Sequence, residues 1–184
     1  ENTKFFINFF MAVYTKIQTK DITHLFDTIG EIQSTKGITE GVENTNYLIT
    51  LKDKKKLIFT IFEKRTRGTD LPFFNNAMSE FNNSGINCPS AIRINGENIF
   101  EIQKKPCAIY SFIEGEQINI LNNDNLESLA HLTSKMHEIG LKSNLRRKND
   151  MLTTSWDYII RKFNNYEGQY RAELKDVTDL INNL

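Results

Sequence analysis

The segment Gly37-Ile38-Thr39-Glu40-Gly41-Val42-Glu43-Asn44-Thr45-Asn46-Tyr47 sets two glycines between stretches rich in β-forming residues. Glycine lets backbone amides approach an anion closely, so a turn of this composition can bend over phosphates. The same residues also suit an ordinary hairpin turn that needs positive φ. Taken alone, the segment leaves both readings open.

The other reactive side chains point to little. Cys88 and Cys107 have neither a C-x-x-C spacing nor a matching histidine cluster, so a zinc site finds no support and two reduced, buried thiols are expected. His24 and His131 lack a carboxylate or second histidine at ligand spacing, and Ser111 has no paired base in sequence range. Hydrolase and metal-site readings are therefore set aside.

Composition narrows the field further. A chain of 184 residues with 39% hydrophobic content can bury one sizeable core or two small ones. Lysine plus arginine and aspartate plus glutamate balance at 23 each, which leaves no net field to attract nucleic acid or an anionic membrane. The basic runs at Lys52–Lys56 and Arg146–Lys148 lack the interleaved aromatics of a strand-binding groove. No apolar run approaches the roughly 18 residues that span a bilayer. Phe5–Val13 is apolar but short and poorly flanked for a signal peptide. A soluble, cytoplasmic protein without nucleic-acid or membrane partners is expected.

The elements that would position the glycine-bearing segment can be read from periodicity. Ile22, Leu25, Phe26 and Ile29 lie at helical spacing within Asp21–Gly30, with an acid at the start and glycine at the end. A first strand falls near Ile32–Ile38. Thr45–Leu51 and Leu57–Phe62 are rich in β-formers, and the polar Asp53–Lys56 between them makes a hairpin turn. Thr69-Asp70 offers a cap and Pro72 a first turn for a helix whose face is Phe73, Phe74, Ala77, Met78 and Phe81, ending at Gly85. Asn95-Gly96 signals a hairpin between Ala91–Ile94 and Asn98–Ile102, and Cys107–Phe112 supplies another strand. Beyond Phe112 the pattern is helical. Leu126, Leu129, Ala130, Thr133, Met136 and His137 share one face, then Trp156, Ile159, Ile160 and Phe163 behind Thr154 and Ser155, then Val177, Leu180, Ile181 and Leu184.

The succession of strand, glycine-bearing turn, strand, strand ending in Glu63-Lys64-Arg65, helix, hairpin and short connector reproduces the order of parts in a protein-kinase-like small lobe. The landmarks Met11-Ala12-Val13-Tyr14-Thr15, GITEGVENTNYLIT, LIFTIFEKR, DLPFF, GINCP and AIYSFIEGE resemble those of bacterial homoserine kinases of the aminoglycoside-phosphotransferase type. The resemblance covers Met11 to about Trp156. It implies an α+β, protein-kinase-like fold: an antiparallel-sheet small lobe followed by the first helices of an α-helical large lobe. It also implies ATP and Mg2+ as cofactors and the side-chain hydroxyl of L-homoserine as acceptor, on the way to threonine. The alternatives are another kinase of this type, or a non-catalytic nucleotide-binding remnant.

Carried over by position, Gly37, Gly41, Glu43, Asn44 and Asn46 belong to the phosphate-covering turn, and Ser111, Phe112 and Glu114 to the hinge that meets adenine. Thr60 stands where a kinase's third strand carries the lysine that pairs the phosphates. Lys64 or Arg65 is then the candidate cation and Glu80, on the next helix, the carboxylate that orients it, with surface charges as the competing reading. His137 sits where related kinases place a histidine on a large-lobe helix, and a packed or hydrogen-bonded core histidine, rather than a proton shuttle, is the expectation.

Phosphoryl transfer of this type needs one aspartate to accept the substrate proton and another, with an asparagine, to hold magnesium. From His131 onward there is no H-x-D followed by a spaced asparagine, and Asp150, Asp157, Asp176 and Asp179 lack the required neighbours. The expectation is that the chain stops before the catalytic residues and holds no metal ligand, with Glu1–Phe10 an extension of unknown role. Residues 11–112 are then the nucleotide-binding small lobe, and residues 113–184 the hinge and an incomplete helical lobe.

Overall fold

The β-rich runs assemble into one five-stranded antiparallel sheet ordered β1-β2-β3-β5-β4. Its strands are β1 (Ile32–Ile38), β2 (Thr45–Leu51), β3 (Lys56–Ile61), β4 (Phe100–Ile102) and β5 (Lys105–Ser111). The computed structural model describes residues 14–41, 43–64, 66–116, 118, 120–148, 168 and 171–182. The chain divides into two compact units, Glu1–Leu145 and Arg146–Leu184. The sheet belongs to the first.

Alternation gives the sheet two different faces. On the back face Tyr47, Ile49, Leu51, Leu57, Phe59, Ile61, Cys107 and Ile109 form one buried cluster with Ile22 and Phe26. Cross-strand register stacks Tyr47, Phe59 and Ile109 in one row across β2, β3 and β5. On the front face Phe62, Ala108 and Tyr110 are buried with Leu71, and Ile58 and Met78 pack against them. Ile38, Asn46, Leu48 and Thr60 share that front face through the pairs Ile38–Asn46, Leu48–Ile58, Asn46–Thr60 and Thr60–Ala108.

The segment covering the back face is helical for a shorter stretch than its apolar spacing predicts. Helix α1 is Thr19–Ile22, followed by a single 3-10 turn at Thr23–Leu25. Asp21 is not the cap but the third helical residue, and its carboxylate accepts the Gln18 amide at 2.7 Å. The Thr23 hydroxyl donates back to the Thr19 carbonyl at 2.9 Å, a local bond that competes with regular helix. Ile22 and Phe26 are nevertheless fully buried.

Helix α2 spans Leu71–Asn83 after a 3-10 turn at Gly68–Asp70. Its sheet-facing stripe is not the predicted row of phenylalanines. Leu71 and Asn75 are the buried residues, with Met78 packed beside them, whereas Phe74 is exposed and Phe73, Ala77 and Phe81 line a small cleft with Ile139 and Leu145. Asparagine can take the buried position because Tyr110 donates its hydroxyl to Asn75 Oδ1 at 2.9 Å. About two turns further on, Asn82 Nδ2 donates to the Cys88 carbonyl at 3.0 Å and to Ser90 Oγ at 2.9 Å, fixing the loop that follows.

Asn95-Gly96 makes the predicted tight turn, with φ of 51° and 89° and reciprocal backbone bonds between Ile94 and Glu97. Ala91–Ile94 does not form the expected strand; Ala91 makes only an isolated bridge to Tyr110. A second tight turn at Gln103-Lys104, with φ of 48° and 61°, joins β4 to β5.

Helix α3 runs Asn123–Lys142 behind an Asn122 cap whose side chain accepts the Asn125 amide at 2.8 Å. Its apolar row of Leu126, Leu129, Leu132 and Met136 is exposed, and so is His137, which is therefore not the packed core histidine expected. In the second unit, helix α4 is Arg171–Asn182. The expected helix around Trp156, Ile159, Ile160 and Phe163 lies outside the described residues, as do Glu1–Phe10 and Arg65.

Candidate nucleotide site

The front face offers a ligand a strip between two chemically different ends. At one end β1 and β2 are joined through the glycine-bearing turn, where Gly41 has φ of 114°, a conformation that side-chain-bearing residues rarely adopt. At the other end β5 leaves the sheet at Ser111, paired with Leu57. Three register steps separate that pair from Thr60–Ala108, about 10 Å at about 3.3 Å per residue. Between them Ile38, Leu48 and Ile58 are only half-buried, while α2 covers the part of the face over Ala108 and Tyr110.

Of the residues singled out from the sequence, Gly37, Gly41, Glu43, Asn44 and Asn46 are brought together on this one connection. Gly37 lies within β1 opposite Tyr47, so it belongs to the ladder and the free turn begins after Ile38. The Asn44 side-chain oxygen is buried without a hydrogen-bond partner, an unsatisfied acceptor at the turn's foot. Asn46 is already engaged: the Thr60 hydroxyl donates to its Oδ1 at 2.8 Å. Asn46 and Thr60 thus form a neutral pair across β2 and β3.

At the hinge end Ser111 is committed to the protein itself. Its amide donates to the Ser90 carbonyl and its Oγ accepts the Ser90 amide, both at 2.9 Å. Its amide and hydroxyl are therefore not free to meet a ligand. The Lys56 ammonium lies 5.1 Å from the Phe112 ring centroid and 2.7 Å from Glu114. This links the start of β3 to the connector.

Lys64 and Glu80 are not brought together. Lys64 is exposed just past β3, and among the described residues no ion pair joins it to Glu80. Glu80 is five residues beyond the sheet-facing Asn75, about 140° round the helix at about 100° per residue. It points instead into an open cleft of about 470 Å³ with Lys135, Glu138 and Lys142.

The buried carboxylate that sequence reasoning missed is Glu63, paired with Lys105. Burial pushes its carboxyl upward, but hydrogen bonds from Lys105, Thr15 and Thr45 outweigh that and hold it below the usual carboxylate range. Lys105 lies 42 residues after Glu63, and Thr45 and Thr15 lie 18 and 48 residues before it, so no local spacing could have revealed them. Among the described residues no three histidine, cysteine, aspartate or glutamate side chains converge to hold a metal ion.

A five-stranded sheet backed by helices, with a glycine-bearing turn at one end and a connector into helix at the other, is the architecture of a protein-kinase-like small lobe followed by the first large-lobe helices. The solved spectinomycin phosphotransferase, in complex with ADP and spectinomycin, superimposes with a TM-score of 0.65 at 14% identity, covering 91% of this chain and 57% of that one. The chain belongs to the phosphotransferase enzyme family, whose sequence model matches residues 34–183. Homoserine kinase of Brucella anthropi is 36% identical over 149 residues, 79% of this chain and 45% of the relative. Those of Allorhizobium ampelinum and Rhizobium meliloti are 37% and 31% identical, over 83% and 90% of this chain and 48% and 52% of theirs. The chain spans about half the length of the curated relatives it matches.

Proposed function

We propose that this chain is the nucleotide-binding part of an ATP-dependent homoserine kinase, which transfers the γ-phosphoryl group to the side-chain hydroxyl of L-homoserine. The observation that carries the reading is the identity of 31–37% to homoserine kinases over most of the chain, the sheet and α3 included. The geometry supports the nucleotide half. In this reading the base lies on Ile38, Leu48 and Ile58 with its edge toward the backbone after Ser111, and the phosphates lie under Gly41–Asn46. The strip of about 10 Å between the two ends suits a nucleoside with its phosphates.

Residues 11–112 act as the small lobe and the residues from 113 onward as hinge and helical lobe. Mg2+ bound with ATP would supply charge neutralisation at the phosphates, with no ligand for it assigned among the described residues. The described residues contribute binding and orientation of the nucleotide. Thr60 and Asn46 provide a neutral floor beneath the phosphates rather than a fixed cation. Among the described residues no helix is long and apolar enough to cross a membrane, in keeping with a cytoplasmic enzyme of amino-acid synthesis.

The test is ADP release by the complete gene product, with L-homoserine compared against L-serine, choline and an aminoglycoside as acceptors. Turnover confined to L-homoserine is expected. Turnover with another acceptor in preference to it would replace the substrate assignment.

A further inference from the structure

We propose that Glu63 is a positioning residue for the glycine-bearing turn, holding the turn's foot through Thr45 from the sheet face opposite the nucleotide. The proposal rests on the nucleotide reading above.

Thr45 is the first β2 residue after the turn, fully buried on the back face. Its hydroxyl donates to Glu63 Oε1 at 2.5 Å and accepts the amides of Tyr14 at 3.0 Å and Thr15 at 3.1 Å. The Thr15 hydroxyl is a second donor to the same oxygen, at 2.6 Å. Lys105 is bonded to the other carboxylate oxygen and also donates to Thr15 Oγ at 2.7 Å. One carboxylate thus collects three donors from three separate segments: the arm before α1, the start of β2 and the start of β5. Two residues along β2, the Tyr47 hydroxyl donates to the Thr15 carbonyl at 2.8 Å and accepts the Ile17 amide at 3.1 Å, so the arm is fixed across the back of β2.

Among the described residues no side-chain hydrogen bond or ion pair holds Thr39, Glu40, Glu43 or Asn44. The turn's feet are held by the Ile38–Asn46 ladder pair and by the Thr45 clamp. A loop that must wrap an anion binds more tightly when its anchor points are fixed before the ligand arrives. The geometry assigns that fixing to Glu63 and Thr45, neither of which touches the nucleotide.

The experiment titrates magnesium-ATP by calorimetry into the full chain and into Thr45→Val, Thr45→Ser and Glu63→Gln, with far-UV circular dichroism and thermal melts for each. Hydrogen exchange at the Tyr14 and Thr15 amides is followed with and without nucleotide. The expected result is roughly tenfold weaker binding for Thr45→Val, near-wild-type binding for Thr45→Ser, and a severalfold loss for Glu63→Gln. Nucleotide should slow exchange of the Tyr14 and Thr15 amides in the wild type and in Thr45→Ser but not in Thr45→Val. A cooperatively melting Thr45→Val that binds ATP within twofold of wild type would overturn the proposal. If that variant does not melt cooperatively, wild-type binding by Glu63→Gln overturns it instead. A wild-type chain that binds no magnesium-ATP at all defeats the nucleotide reading, and this inference with it.

Discussion

Thr60 of β3 donates its hydroxyl to Asn46 of β2 across the front of the sheet, 2.8 Å apart. The pair is neutral, and Thr60 is buried. Thr60→Val keeps the shape but removes the donor, leaving the half-buried Asn46 oxygen without its partner. A loss of about 1–2 kcal/mol in unfolding free energy is expected, measured by urea titration. An unchanged midpoint would show that water replaces the hydroxyl.

Phe59 is fully buried in the middle row of the back face, between Tyr47 and Ile109. Phe59→Ala is expected to destabilise the chain by about 3–5 kcal/mol. Lys52→Ala breaks an ion pair with Glu31 in which both side chains are well exposed and should change stability by less than about 1 kcal/mol. Comparable losses for the two would contradict the assignment of the core.

Glu63 gives the chain a pH dependence whose sign is fixed. Its folded-state pKa is depressed, so its contribution is present above the ordinary glutamate value of about 4.3 and is lost as pH falls through the folded value. Unfolding free energy measured from pH 7 downward should therefore drop in the acid range, and Glu63→Gln should flatten that drop. A variant as acid-sensitive as wild type would assign the effect to other carboxyls.

Cys107 is fully buried, and burial, with a further push from Glu101, raises its thiol to about 12. Cys88 is half-buried and also raised, by burial outweighing a bond from Asn82. Since the thiolate is the reactive form, the native chain should react slowly with a disulfide reagent at pH 8. Cys88 should react first, and Cys107 only once the chain is unfolded. Stopped-time labelling with mass spectrometry separates the two.

The sheet was legible because its signals are local. Thr45–Leu51 is rich in β-formers, and the polar Asp53–Lys56 marks the turn, so β2 falls where expected and β3 begins one residue earlier than Leu57. The α2 stripe misled because its inward positions include the buried Asn75 and the half-buried Asn82, which look solvent-facing until Tyr110 and the Cys88–Ser90 loop are folded against them. The Gln103-Lys104 turn carries neither glycine nor asparagine, so nothing in its composition announces positive φ. Within the candidate site, the turn and the connector follow from order along the chain. The Glu63–Lys105 pair is a product of closure: only the pairing of β3 with β5 brings Lys105 alongside the end of β3.

The strand order leaves the sheet two rims of unequal character. One is β4, a mere three residues long, about 10 Å of backbone. The other is β1, longer but with its register broken between Ile32 and Ser34 and with Gln33, Ser34 and Lys36 exposed along it. An incoming strand finds too little ladder on the first and an interrupted, charged one on the second. The sheet is thus guarded on both sides against recruiting another copy into a growing stack, although its edge is never closed into a barrel.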